Sequence, residues 1–225
     1  MGSSLPEPYY QDSHVTIYNA DCREILPLLD PVDLVLTDPP YGISLQPQRK
    51  LTKAIAGDGR RDAKSLLWFS MPYIYDLTPD NSAHFFFARW SEVWVKDVLA
   101  EWFTVKACIV WRKNMFGIGY HVRPQHEFIY LCHKGEPSPP ESPSSDVWDF
   151  AKVQAPTHSC EKPNEILKKC LTYYNNAETI LDPFMGSGTT LRAAKDLNRK
   201  AIGIELCEKY CEIAVERLRQ EVLAL

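Results

Sequence analysis

No stretch of the 225 residues stays apolar long enough to cross a bilayer, and no signal-peptide pattern opens the chain. Those two absences argue against a membrane protein and for cytoplasmic residence. Paired cysteines are missing as well. The seven cysteines are odd in number and include no C-x-x-C pair, which points to reduced thiols rather than a disulfide framework. Cys207 and Cys211 share a helix face, but small buried hydrophobes explain that spacing better than a metal site, and no metal is expected. An overall positive charge is also lacking: the formal net charge is −4.

What is present is a globular composition, 45% hydrophobic and 24% charged. The length suits one α/β domain with an ample core. The charge is unevenly spread. Residues 44–64 carry a net +4 and residues 106–134 another +4, leaving −12 for the rest. A chain polarised in this way can turn a basic face toward phosphates.

The branched run Val32-Asp33-Leu34-Val35-Leu36 reads as a buried strand, and it leads into Thr37-Asp38-Pro39-Pro40-Tyr41-Gly42. Pro39 has no N–H for a ladder, so the strand must stop there. A carboxylate (Asp38), a fixed carbonyl (Pro39) and an aromatic ring (Tyr41) then lie at the carboxyl end of a strand, where open α/β sheets bind ligands. An exocyclic amine on a planar base has its lone pair delocalised into the ring. A carboxylate and a carbonyl that accept its two hydrogens would pull it out of conjugation, while the tyrosine stacks on the base. The same residues would also make an ordinary Asp-Pro turn with a packed tyrosine, and on their own they do not decide between the two.

A second constellation lies near the other end. Thr179-Ile180-Leu181-Asp182-Pro183-Phe184-Met185-Gly186-Ser187-Gly188-Thr189-Thr190 reads as strand, glycine turn and helix start. Gly186 and Gly188 permit close approach and positive φ, and the N–H groups of the helix start favour an anion. Arg199 to Glu205 follows as a strand that ends in an acid, a position that typically accepts a ribose hydroxyl. A glycine pair alone is a weak signal; the ordered series of strand, turn, helix, strand and acid is a strong one.

Together, Asp38-Pro39-Pro40-Tyr41 and Asp182-Pro183-Phe184-Met185-Gly186-Ser187-Gly188-Thr189 resemble the amino-group DNA methyltransferases, which act on adenine N6 or cytosine N4. The catalytic motif precedes the cofactor motif, as in the beta arrangement of that family, and the resemblance runs from about Val15 to Leu218. It implies a Rossmann-like α/β fold with a seven-stranded, mostly parallel sheet, one antiparallel strand and a circularly permuted motif order. It also implies S-adenosylmethionine as cofactor and a restriction-modification context. By resemblance, Asp38, Pro39, Pro40 and Tyr41 are the catalytic residues. Cofactor contacts are expected from Asp21, Cys22, Asp38, Lys162, Asp182, Pro183, Phe184, Gly186, Ser187, Gly188, Thr189, Glu205 and Leu206. Asp21 would serve equally well as a helix N-cap, and Lys162, in Lys162-Pro163, equally well as a surface lysine at a helix start.

The remaining segments follow from pattern. Val15 to Tyr18, His84 to Arg89, Val105 to Trp111 and Glu127 to Cys132 complete seven strands, and the last two should pair antiparallel because only a loop joins them. Helices are expected over Cys22–Leu29, Ser65–Leu77, Glu92–Phe103 and Tyr210–Leu223. Ile43 to Lys64 reads as a long basic loop one turn from Asp38, suited to clamping DNA. Arg49, Lys50, Lys53, Arg60 and Arg61 would contact phosphates there, joined by Arg112, Lys113 and Arg123 in the loop 112–126, where Phe116 or Tyr120 would cover a flipped base. The chain reads as a single domain: a catalytic half (15–135), a Pro/Ser-rich connection (136–157) too short for a separate recognition domain and anchored by Val147 to Phe150, and a cofactor half (158–225). Recognition from so little surface implies a short target, or a homodimer sharing double-stranded DNA. Aspartate in the first motif position leans toward adenine N6. Cytosine N4, an RNA or free-nucleotide amine, and a non-catalytic cofactor-binding subunit are the alternatives.

Overall fold

In a computed structural model, residues 4–40, 60–153, 161–174 and 176–219 are described, with residues 60–62 described by their backbone alone. In chain order the elements are β1 (Tyr10–Gln11), β2 (Val15–Asn19), α1 (Cys22–Ile25, continued by a 3-10 turn over Leu26–Leu28), β3 (Leu34–Thr37), α2 (Arg60–Leu77) and β4 (Ser82–Ala88). Then come α3 (Trp94–Ala100), β5 (Thr104–Arg112), β6 (His126–Lys134), β7 (Val147–Asp149) and α4 (Asn164–Tyr173). The chain closes with β8 (Thr179–Asp182), α5 (Thr189–Asp196), β9 (Lys200–Glu205) and α6 (Glu208–Arg219).

Among the described residues nine strands join one sheet in the order β1-β2-β9-β8-β3-β4-β6-β5-β7. The central pairings β2/β9, β9/β8, β8/β3 and β3/β4 are parallel, and β6 runs against both β4 and β5. The seven expected strands and the reversed hairpin strand are present. Two short edge strands come in addition: β1, antiparallel to β2, and β7, parallel to β5. Two or three residues are too few to show a period, so neither was visible in the pattern.

Strand side chains alternate between two cores. Phe85 and Phe87 face one helical layer, α4 with α5 and α6, while Phe86 and Ala88 face the other, α1 with α2 and α3. Helix α2 begins five residues before the expected Ser65, which corrects the reading of residues 60–64 as part of the loop. Arg60-Arg61-Asp62-Ala63-Lys64 offers the core a single apolar residue, Ala63, which is fully buried at the start of the stripe Ala63, Leu67, Met71, Ile74. Polarity in the sequence there belongs to a helical turn. The expected loop over Ile43 to Gly59 lies outside the described residues. Helix α3 is shorter than expected and α6 starts two residues earlier. No helix among the described residues is long and apolar enough to cross a membrane.

The 136–157 connection is pinned at β7, where the Trp148 ring is buried, its Nε1 donates to Ser145 O at 2.8 Å, and the Lys169 ammonium lies over it. The two sheet halves are joined by a buried imidazole. His84 Nδ1 accepts the Val35 backbone N–H of β3 at 3.1 Å, so Nε2 carries the proton and donates to Ser82 Oγ at 2.8 Å. Burial first, then the charges of His133 and Lys134, push the His84 pKa down to about 3. The unfolded chain therefore takes up a proton near pH 6.5 that the folded chain refuses until about pH 3. This stabilisation is complete above pH 6.5 and fades as pH falls, by roughly 1.4 kcal/mol per unit. In chemical denaturation between pH 6.5 and 4.5, His84→Asn should flatten the pH dependence of stability by about that slope; identical slopes would contradict the account.

Candidate active site

The crossover β8–α5–β9 moves toward one edge of the sheet and β3–α2–β4 toward the other. The order reverses between β8 and β3, and a crevice at the carboxyl ends of the strands is expected at such a point. Asp38 follows β3 directly and Asp182 is the last residue of β8, so the two sequence motifs, about 140 residues apart, lie side by side. A side-chain bond joins them: Thr37 Oγ1 donates to Asp182 Oδ1 at 2.6 Å. Asp182 is fully buried, and its pKa is pushed up to about 6, by burial first and also by the nearby Asp38; hydrogen bonds from Thr37, Thr190 and the Phe184 N–H oppose this. Asp33, at the other end of β3, receives the Glu178 and Thr179 N–H groups at 2.9 and 2.8 Å and fixes the register of the pair.

The glycine turn fills its expected place. Gly186 has φ +51° and Gly188 +74°, the left-handed region. A Cβ on Gly188 would meet the Ala214 Cβ at 2.6 Å, so α6 packs tightly behind the turn. A Cβ on Gly186 would meet nothing within 4 Å, so that side of the turn is open. Glu205, at the end of β9, accepts the Gly186 N–H at 3.0 Å and the Cys207 N–H at 2.8 Å, and burial raises its pKa. Asn19 Nδ2 donates to the Glu205 and Leu206 carbonyls, tying the end of β2 to that of β9. An open cradle, the N–H groups at the start of α5 and an acid beside the turn fit a ligand with a carboxylate at one end and vicinal hydroxyls at the other.

Pattern reading did not foresee several residues here. Arg217 on α6 donates to Thr189 Oγ1 and pairs with Glu161 at 2.8 Å, holding the segment before α4 against the turn. The neighbouring Lys162 is buried, and its Nζ bonds Asp38 Oδ2. Glu127 Oε2 lies 3.3 Å from the same Nζ, and Glu127 Oε1 takes Lys113 Nζ at 2.5 Å. Burial alone would raise the Glu127 pKa, but Lys162, Lys113 and Arg89 bring it down to about 2. The signal available in the sequence was a lone acid, Glu127, opening a strand within a basic region.

The other expected site residues divide. Pro39 and Pro40 follow Asp38 as the turn requires, and Pro183 and Phe184 lead into the glycine turn beside Ser187 and Thr189. Asp21 caps α1 by accepting the Arg23 N–H and pairs with the Arg23 guanidinium. Cys22 is buried beside Ser70, while Leu206 is half exposed. Arg112 forms a two-bond ion pair with Asp149, at 2.5 and 2.7 Å, and Lys113 is committed to Glu127. Phe116 and Tyr120 are 60% and 98% exposed, and the Arg123 guanidinium lies over the Phe116 ring. Tyr41, Arg49, Lys50 and Lys53 lie outside the described residues. Arg60 and Arg61 form the first turn of α2, their side chains undescribed.

A family model described as DNA methylase matches residues 32–216. The chain is 31% identical over 207 residues to the putative methylase YubD of Escherichia coli (strain K12), covering 88% of this chain and 87% of that one. It is 24% identical to the type II methyltransferase M.ScaI of Streptomyces caespitosus over 99% and 87% of the two chains. Among solved structures it is similar to the M1.HpyAVI-SAM complex, with TM-score 0.70 and 26% identity over 92% of this chain and all of that one. The cytosine-N4-specific PvuII DNA methyltransferase shares the fold, with TM-score 0.76 and 14% identity over 96% and 90% of the chains. With the motif pair seated at the switch point and the match spanning most of the length, the chain belongs to the DNA methylase family, whose members methylate amino groups at adenine N6 or cytosine N4.

Proposed function

We propose that this protein transfers a methyl group from S-adenosylmethionine to the N6 amine of adenine in double-stranded DNA. The observation that supports the reading is that Asp38 directly follows β3 and the open glycine turn follows β8, two paired strands at the point where the strand order reverses. When bound, the cofactor supplies an electrophilic methyl on a sulfonium, already an excellent leaving group. The protein's task is then to bring the amine into line and free its lone pair. Asp38 and the Pro39 carbonyl accept the two amine hydrogens, Tyr41 stacks on the ring, and Asp38 takes up the proton released as the N–CH3 bond forms. Gly186, Ser187 and Thr189 hold the methionine end of the cofactor, and Glu205 the ribose.

No thiol nucleophile is required, since no ring carbon is attacked. Burial agrees: it pushes the Cys22 thiol up to about 11 and Cys211 to about 12, and raises Cys132 and Cys170 as well. Because an amine inside a duplex cannot reach this crevice, the base is flipped out, with Phe116 or Tyr120 covering it. Arg123 and the basic residues of 44–64 grip the phosphates, and a second copy of the chain shares the duplex. Aspartate in the first motif position supports adenine over cytosine, and the type II methyltransferases among the relatives suggest a modification role beside a restriction enzyme.

Incubation with methyl-labelled cofactor and random duplex DNA, followed by digestion, should release N6-methyladenine nucleoside. Labelled N4-methylcytosine would move the reading to the other branch of the family, and no label in DNA would refute it. Two variants should separate the turns. Asp38→Ala should lose at least ~10²-fold in transfer rate with cofactor affinity nearly intact, the scale of one lost polarising group. Gly186→Val should abolish cofactor binding in calorimetry, because a β-branched side chain is strained at positive φ and fills the open cradle. Wild-type turnover in the first, or unchanged affinity in the second, would overturn the assignments.

A further inference from the structure

Because β6 runs against its neighbours, it delivers its first residues to the edge of the sheet where the parallel strands end. Glu127 arrives there buried, between the ammonium groups of Lys113 and Lys162. Among the described residues, two carboxylates lie within reach of Lys162 Nζ. It is bonded to Asp38 Oδ2, and Glu127 Oε2 waits 3.3 Å away. Among the described residues, that Glu127 oxygen is buried without a hydrogen bond of proper geometry; its contact with Lys162 is an ion pair only.

An ammonium on Asp38 Oδ2 draws electron density from the carboxylate that the incoming amine is to meet. Loosening that bond as the target base arrives makes Asp38 the stronger acceptor. The Lys162 charge is buried, and weakening its ion pair there is costly. Among the described residues Glu127 Oε2 is an acceptor within reach, and a shift of roughly half an ångström turns the present contact into a charge-assisted hydrogen bond.

We propose that Glu127 is a positioning residue for methyl transfer, the second seat that takes Lys162 when the target amine occupies Asp38. The inference rests on the reading of Asp38 as the amine acceptor. Glu127 touches neither base nor cofactor in this role and acts through the lysine alone. Its loss leaves Lys162 on Asp38, in competition with the substrate.

The test compares wild type, Glu127→Gln, Lys162→Met and the double variant in methylation of duplex DNA at saturating DNA and cofactor. Glu127→Gln should slow turnover at least tenfold while affinity for S-adenosylhomocysteine, by calorimetry, stays within about threefold, a split that general destabilisation would not produce. The double variant should be no slower than Lys162→Met alone, because without the lysine there is nothing to seat. Glu127→Asp, which keeps the charge, should recover part of the rate, and it carries the same comparison with Lys162→Met should the glutamine variant melt below assay temperature. Wild-type turnover in Glu127→Gln, or losses that multiply in the double variant, would overturn the proposal. A crystal structure with S-adenosylhomocysteine and a target duplex should show Nζ on Glu127; Nζ still on Asp38 beside a bound base would overturn it equally. Failure of the wild type itself to methylate DNA would refute the underlying function instead.

Discussion

The catalytic edge depends on one contact between neighbouring strands: the Thr37 hydroxyl donates at 2.6 Å to the buried Asp182 carboxylate. It closes the end of the β3/β8 pair, which the Asp33 carboxylate fixes at the other end. Once those strands are in register, Asp38 and the glycine turn must sit beside each other, because each is the next piece of chain after its strand. The cost is a carboxyl whose pKa lies near 6. The three donors around it keep it ionised at neutral pH, and it in turn holds the Phe184 N–H at the start of the turn.

Around this pair the charges alternate. Lys113, Glu127, Lys162 and Asp38 form a neutral row from the end of β5 to the end of β3. Most of the row is buried, so removing any single member leaves an uncompensated charge, an effect on the order of 3–5 kcal/mol. The row also redistributes the basic character read from residues 106–134. Lys113 is spent on Glu127 and Arg112 on Asp149, and a paired charge projects little field toward a phosphate. On this part of the surface the Arg123 guanidinium lies over the exposed Phe116 ring and donates to Gly117 O.

What was legible in the chain was local chemistry. Proline ends a strand by lacking a donor and glycine permits positive φ, so both turns announced themselves, and branched runs marked the strands between them. Contacts between distant residues left no such trace. Lys162 and Asp38 are separated by 124 positions, and nothing in either segment names the other. Lys162 was expected near the cofactor, and its bond to Asp38 was not foreseen. Asp21 shows how one residue type suits two tasks, since the carboxylate expected at the cofactor also caps α1. The start of α2 was missed because one buried alanine among charged residues makes a helical turn look like loop.

The most direct test of the account is single-turnover methylation by Thr37→Val, which keeps the shape of the side chain and deletes only the hydroxyl. If the Thr37–Asp182 bond holds the two turns together, transfer at saturating cofactor should slow about tenfold or more, and the Asp182 pKa, about 6 with the bond in place, should move upward as the carboxyl loses a donor. A variant that transfers methyl groups at the wild-type rate, with an unshifted pH profile, would contradict it.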